Sequence, residues 1–284
     1  MSRTVYVNGE FVAEENAQIS VFDRGFLFAD AVYEVSSVIE GKLLDNDRHL
    51  ARLRRSLGEL NIPSPASDET ITGVQKELIK RNELVEGAVY MQVTRGAADR
   101  DFAFPANAVP GMVLFTQAKQ LRDSPQARDG IAVVTMPDIR WKRRDIKTVG
   151  LLAQSMAKQA ALDAGATDAW MVEDGFVTEG SSNNAFIVDK NGCIITRQLG
   201  NDILHGITRA SVLKLTQQHN IALEERAFTV AEALDAQEAF LTSASTFVWP
   251  VISIDGHPIG DGKPGAVAGR LRELYIETAL QGAV

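Results

Sequence analysis

The chain is nearly devoid of cysteine: Cys193 is the single thiol in 284 residues. One thiol excludes an intramolecular disulfide, so the fold does not depend on an oxidising compartment. No His or basic cluster flanks it in VDKNGCII, and no metal-ligand spacing involves it, so it reads as a passive residue on a hairpin strand and no metal site is expected. Long apolar runs are also missing. No stretch of about 18 apolar residues occurs, and the opening MSRTVYVNGEFV lacks a charged stretch followed by an apolar core. Neither a membrane span nor a signal peptide is expected, which points to the cytoplasm. Excess positive charge is absent too: 29 Lys+Arg against 37 Asp+Glu give a net charge of −8, which disfavours nucleic acid and anionic membrane and leaves small molecules as the expected partners.

With 45% hydrophobic and 23% charged residues, the chain can bury a core in one large domain or two modest ones. Residues 4–12 alternate apolar and polar positions around Asn8-Gly9, a strong hairpin signal because both residues tolerate positive φ. Similar turns stand at Glu40-Gly41, Asp174-Gly175, Asn191-Gly192 and Asp255-Gly256, at no fixed period, so antiparallel pairing is expected throughout and no repeat. Leu50, Leu53, Leu57 and Leu60 form one helical stripe, stopped by Pro63 and Pro65; a second helix is expected over 67–84. Strands at 88–95 and 110–117 complete an α+β domain over 1–118. The polar segment 119–130, with Pro125 and Gly130, reads as the linker. A larger mixed α/β domain then covers 131–284: a strand at 131–136, a helix at 149–164 ended by Gly165, a hairpin across 168–189, a short helix with Thr229 and Glu232 at capping-box spacing, and helices at 207–219 and 265–280.

Three segments of this second half carry candidate chemistry. In RRDIKTVGLLAQSMAKQAALDAG (143–165), Lys147 lies just before a helical stretch; a solvated helix-start lysine would look the same. In VTEGSSNNAFIV (177–188), Glu179 and Gly180 precede a small polar run set in apolar strand, a costly arrangement unless the polar groups find partners, although a hairpin Glu facing water is the plain alternative. In ILHGITRASVL (203–213), Gly206 bends strand into helix and Thr208 sits near the helix start; free N–H groups there suit a phosphate, and a simple Thr208 cap is the competing reading.

In this order and at these intervals, the three segments resemble the fold-type IV pyridoxal-phosphate enzymes, the family of D-amino acid and branched-chain aminotransferases. DRGFLFADAVYEV (23–35) and RHLARL (48–53) are similar to the same family, and VTRGAADRDFAFP (93–105) to its D-amino acid branch, so the resemblance spans nearly the whole chain. It implies the family's two-domain fold, pyridoxal 5′-phosphate as cofactor, amino acids and keto acids as substrates, and transfer of an amino group between them. Under it Lys147 forms the Schiff base and moves the substrate proton, and Glu179 pairs with the pyridine nitrogen. The N–H groups of Ile207 and Thr208, the Thr208 hydroxyl and Arg52 hold the phosphate, and Leu204 presses on the ring. Arg52, standing among Arg48, Arg54 and Arg55, owes this role to the resemblance; alone it reads as a solvated helix arginine.

The family's substrate-carboxylate trap is carried over as Tyr33 and Arg100, while Phe102 stands where a histidine is usual, removing one donor. Ala244, between Ser243 and Ser245, replaces a threonine that often helps hold the phosphate; a plain serine-rich turn closing onto Trp249 and Pro250 is the alternative. Because Arg100 would reach a neighbouring subunit's site, the resemblance implies a homodimer with shared sites. D-amino acid transamination is the expected activity. Branched-chain L-amino acid transamination, R-amine transamination and aminodeoxychorismate lyase activity stand behind it, and a binding protein that keeps the fold without chemistry is the alternative of another class.

Overall fold

The structure is a computed structural model describing residues 2–284. Two compact units emerge: the chain up to Gln120 with Ile146–Gly150 and Gly282–Val284, and Leu121–Asp145 with Leu151–Gln281.

The first unit contains β1 (Thr4–Val7), β2 (Glu10–Ala13), β3 (Ala31–Ile39), β4 (Lys42–Leu43), β5 (Glu86–Thr94) and β6 (Gly111–Ala118), with helices α1 (Arg24–Phe28), α2 (Asn46–Glu59) and α3 (Asp68–Arg81). Its antiparallel sheet runs β2-β1-β6-β5-β3-β4. The opening hairpin closes Val7 on Glu10, and both central residues, Asn8 and Gly9, have positive φ. Alternation along β3 sends Val32, Glu34 and Ser36 to one face and Tyr33 and Val35 to the other. The first face packs on the helices: Leu50, Leu53 and Leu57 of α2 and Ile71, Val74 and Leu78 of α3 share a buried core with Val32, Val89, Met91 and Leu114.

The second unit contains α4 (Pro125–Asp129), β7 (Ile131–Pro137), α5 (Leu152–Asp163), β8 (Asp168–Glu173), β9 (Phe176–Gly180), β10 (Asn184–Val188), β11 (Ile194–Thr196), α6 (Ile207–Gln218), β12 (Leu223–Glu225), α7 (Val230–Leu234), β13 (Glu238–Ser243), β14 (Phe247–Ile254), β15 (His257–Pro258) and α8 (Ala266–Gln281). Its sheet runs β12-β11-β10-β13-β14-β7-β8-β9, with β15 on β14. Antiparallel pairs dominate, but β7–β8, β7–β14 and β11–β12 are parallel, which turn chemistry alone does not signal. α7 has the expected capping box between Thr229 and Glu232.

Several expectations need correction. The 119–130 segment is not a bare tether: Ser124 caps α4 and accepts a hydrogen bond from the Trp249 indole at 3.1 Å, Leu121 is buried, and Arg272 donates to the Leu121 carbonyl. The domain division is also not sequential, since 146–150 and 282–284 group with the first unit. The helix expected from 149 begins at Leu152. At Asn191-Gly192 only the glycine has positive φ, and the turn is held instead by Asp189, whose side chain accepts from the N–H groups of Asn191 and Cys193 at 2.8 Å each.

Candidate active site

In the first unit, Lys147 is neither in a helix nor at a helix start. The Lys147 carbonyl accepts from Tyr33 N–H at 3.0 Å, Val149 N–H donates to the Ala31 carbonyl at 3.1 Å, and Thr148 bridges Val32, so this segment adds an edge to β3. Ile146 anchors it in the helix-side core. The Lys147 Nζ lies 4.1 Å from the centroid of the Tyr33 ring, which stacks on Tyr90 at 5.6 Å; Tyr90 in turn stacks on Phe115 at 4.7 Å. Burial and the nearby Tyr33 push the Tyr90 phenol up to about 12. Two expected site residues, Lys147 and Tyr33, therefore meet.

Arg52 is not a solvated helix arginine. It is buried on the helix side of β3, with Nε and Nη2 each 2.8 Å from a different oxygen of Glu34, and His49 Nδ1 lies 2.7 Å from the same carboxylate. Burial pushes the Glu34 carboxyl up, but Arg52 and then His49 outweigh it and bring it to about 2. Glu34 and His49 were missed in the sequence because neither residue type predicts a buried position; only the strand alternation that places Glu34 opposite Tyr33 could have found the former.

Arg100 and Phe102 occupy the loop after β5. Both are exposed, and the Arg100 guanidinium lies 5.4 Å from the Phe28 ring and 5.6 Å from the Phe102 ring.

In the second unit, Glu179 at the end of β9 is 3% exposed. Arg140 Nη1 donates to its Oε1 at 2.5 Å, Asn184 Nδ2 to its Oε2 at 2.9 Å, and Leu204 N–H lies 3.1–3.2 Å from both oxygens. Arg140 is itself gripped by Asp138 through Nε and Nη2. Burial raises the Glu179 carboxyl above its ordinary range, and Arg140 and the Leu204 N–H offset only part of that. Burial also works against the Arg140 charge, but Asp138 and Glu179 hold it firmly protonated. The small polar run thus finds its partners: Asn184 binds Glu179 and the Leu204 carbonyl, while Ser181 and Asn183 bind Asp168. Arg140 was not singled out in the sequence, where it stands in the charge-rich DIRWKRRD and reads as solvated.

Beyond Leu204, Gly206 caps α6 without any side-chain hydrogen bond, and Ile207 and Thr208 are its first two residues, whose N–H groups have no acceptor inside the helix. The plain-cap reading of Thr208 fails: its hydroxyl is buried and without a hydrogen-bond partner. A buried hydroxyl without a partner in the first turn of a helix is what a phosphate would satisfy, so these residues fit the group. In the β13–β14 turn, Ser243 Oγ lies 2.8 Å from Thr246 Oγ1 and 3.4 Å from Ser245 Oγ, Ala244 follows Ser243, and the neighbouring Thr242 hydroxyl is also buried without a partner. Among the described residues no group of three or more His, Cys, Asp or Glu could hold a metal, and no helix is long and apolar enough to cross a membrane.

Comparison with known proteins bears directly on both groups of residues. The amino-transferase class IV profile matches residues 31–254. The chain belongs to the class IV aminotransferases. It is 39% identical over 278 residues to the D-alanine aminotransferase of Staphylococcus aureus (strain N315), covering 96% of this chain and 98% of that one. To the D-alanine aminotransferase of Bacillus licheniformis it is 38% identical, covering 99% and 96%. Among solved structures, the T.th. branched-chain amino acid aminotransferase complexed with N-(5′-phosphopyridoxyl)-L-glutamate superposes with a TM-score of 0.89 at 27% identity, covering 98% of this chain and 94% of that one. The Escherichia coli branched-chain enzyme gives 0.90 at 20% identity, covering 98% and 95%, a likeness of fold. This aminotransferase therefore has the fold-type IV architecture, and the matched span contains Tyr33, Arg52, Arg100, Lys147, Glu179 and Thr208.

Proposed function

We propose that the protein transfers the amino group of D-amino acids to 2-oxo acids such as pyruvate or 2-oxoglutarate, with pyridoxal 5′-phosphate as cofactor. The observation that carries this is the Leu204–Thr208 passage. Within five residues it presents an N–H that fixes the buried, proton-avid Glu179 and a helix start whose Thr208 hydroxyl lacks a partner. Burial of the Glu179 carboxylate suits a cationic partner, as a protonated pyridine nitrogen is, and the helix start suits a phosphate.

Bound there, the cofactor supplies an electron sink for the carbanion formed at the substrate Cα. Lys147 would attach it through its ε-amino group and, once released, carry the proton from Cα. Glu179 would hold the ring nitrogen protonated. Ile207, Thr208 and Arg52 would hold the phosphate with Ser243, Ala244 and Ser245 near it, and Leu204 would lie against the ring. Tyr33 would receive the substrate carboxylate in its own subunit's site, and Arg100, with Phe102 beside it, would reach the carboxylate in the neighbouring subunit's site. The D-stereochemistry follows the D-alanine aminotransferases, 36–39% identical over nearly the whole chain, rather than the branched-chain structures at 20–27%.

A homodimer belongs to the same reading, in line with the exposed apolar side chains Ile19, Val21, Phe22, Phe26, Phe104 and Val109 on the first unit. A cytoplasmic setting accords with a fold whose one thiol needs no oxidising compartment. Borohydride treatment of the yellow protein should fix the cofactor on the peptide containing Lys147, and Lys147→Ala should be inactive. Half-reactions with D-alanine, L-leucine and (R)-1-phenylethylamine, followed by bleaching of the imine absorbance, should be fastest with D-alanine. A colourless protein, or fast bleaching by L-leucine alone, would overturn the reading.

A further inference from the structure

Three arginines and three phenylalanines of the first unit interleave. Arg95 lies 3.7 Å from the Phe104 ring, Arg24 lies 5.7 Å from Phe104 and 4.5 Å from Phe28, and Arg100 lies 5.4 Å from Phe28 and 5.6 Å from Phe102. Two of these cations share one counter-ion: Arg24 and Arg95 both bind Asp30 at 2.7 Å. Arg100, at the outer end, makes no ion pair among the described residues.

The loop that carries Arg100 and Phe102 is exposed but not loose. Buried Arg24 donates from Nη1 to the Asp101 carbonyl at 2.6 Å and to the Ala103 carbonyl at 3.3 Å, gripping the backbone on both sides of Phe102. Ala103 N–H closes back on the Asp101 side chain at 3.2 Å. The Phe102 ring lies 5.7 Å from Phe28, tilted by 58°, so the two rings form a shelf against which the Arg100 guanidinium rests. Phe102 is 79% exposed, so burying it in the unit's own core does not explain its size.

We propose that Phe102, together with Phe28, fixes the Arg100 guanidinium as a preoriented carboxylate receptor, which makes Phe102 a positioning residue for substrate binding. This rests on the reading of the chain as an amino-acid transaminase. An exposed arginine otherwise samples many rotamers, and ordering it against aromatic faces before the ligand arrives removes part of the entropy loss on binding. The ring supplies no hydrogen bond of its own, so carboxylate affinity depends on the guanidinium and on how well it is held.

The test is a ligand-observed NMR titration of the cofactor-loaded protein with propionate, a carboxylate without an amino group to react, alongside D-alanine half-reactions. Phe102→Leu should weaken propionate by about two- to fivefold, the range of an exposed cation–π contact. Phe102→Tyr should restore it, and Arg100→Met should weaken it by about tenfold or more. D-alanine should show the same order in KM with little change in kcat. Equal propionate affinity in the wild type and Phe102→Leu, or no loss in Arg100→Met, would overturn the proposal even if D-alanine reacts normally. The expected propionate differences without any reaction of D-alanine would uphold the clamp and overturn the transaminase reading. Unchanged thermal unfolding of Phe102→Leu would exclude a folding defect as the cause.

Discussion

Glu34→Gln isolates the most strongly perturbed carboxylate of the first unit. Glu34 is fully enclosed between β3 and α2, yet two nitrogens of Arg52 at 2.8 Å and His49 at 2.7 Å carry its carboxyl from 4.5 to about 2. At about 1.4 kcal/mol per tenfold change in acidity, that amounts to about 3 kcal/mol of stability at neutral pH. A folded value below the unfolded one means that this stability is fully present above about pH 4.5 and is lost as pH falls towards 2. The glutamine keeps the shape but removes the negative charge that faces the buried Arg52 guanidinium, so a loss of about 3–5 kcal/mol is expected at pH 7. The gap to the wild type should narrow steadily below pH 4.5. Urea titrations between pH 7 and 3.5 test this, provided that the probe sees the right unit. All three tryptophans, Trp141, Trp170 and Trp249, lie in the second unit, so fluorescence reports that unit and far-UV circular dichroism must report α2 and α3. A gap that is absent at pH 7, or that stays constant down to pH 3.5, would refute the role assigned to the pair. Cofactor affinity should fall with the same substitution, because Glu34 aims the Arg52 guanidinium.

Two further outcomes separate the phosphate cradle from the Glu179 contact. Thr208→Val removes a buried hydroxyl that has no partner in the protein, so the cofactor-free chain should gain about 1 kcal/mol while cofactor affinity, measured by absorbance titration, falls by about tenfold. In Gly206→Ala the new Cβ would stand 2.0 Å from Asn184 Oδ1, displacing the amide that binds Glu179 and the Leu204 carbonyl. Turnover should drop by about tenfold, and adding Asn184→Ala should cost almost nothing more, since both changes break the same contact.

The hairpins at Asn8-Gly9, Asp174-Gly175 and Asp255-Gly256 were legible because paired positive-φ residues between strands have one inexpensive solution, and the leucine stripe of α2 because its spacing matches a helix. The parallel pairing of β7 with β8 and β14 was not, since it is decided by which strands meet across long connections. The same divide runs through the site. Thr208 and Glu179 stand out locally, as small polar or acidic residues at a bend or in an apolar strand. Arg140, Asn184, Glu34 and His49 acquire meaning only from partners 5–39 positions away in the chain.

Lys147 shows why that distinction matters for function. In sequence it precedes a helix in the second half and looks like any solvated lysine. In the fold its backbone completes the edge of β3, and its ammonium faces Tyr33, two residues after the point where the segment's last hydrogen bond meets Ala31. A side chain hung from a strand edge, with Ile146 buried on one flank and Thr148 bridged on the other, has its Cα position fixed by main-chain hydrogen bonds, which substitution of surrounding side chains leaves largely in place. The amine keeps the mobility of its four-carbon stem while its origin stays still. That combination suits a group that must both hold a cofactor and carry a proton, and it is supplied by a strand that belongs to the other half of the sequence.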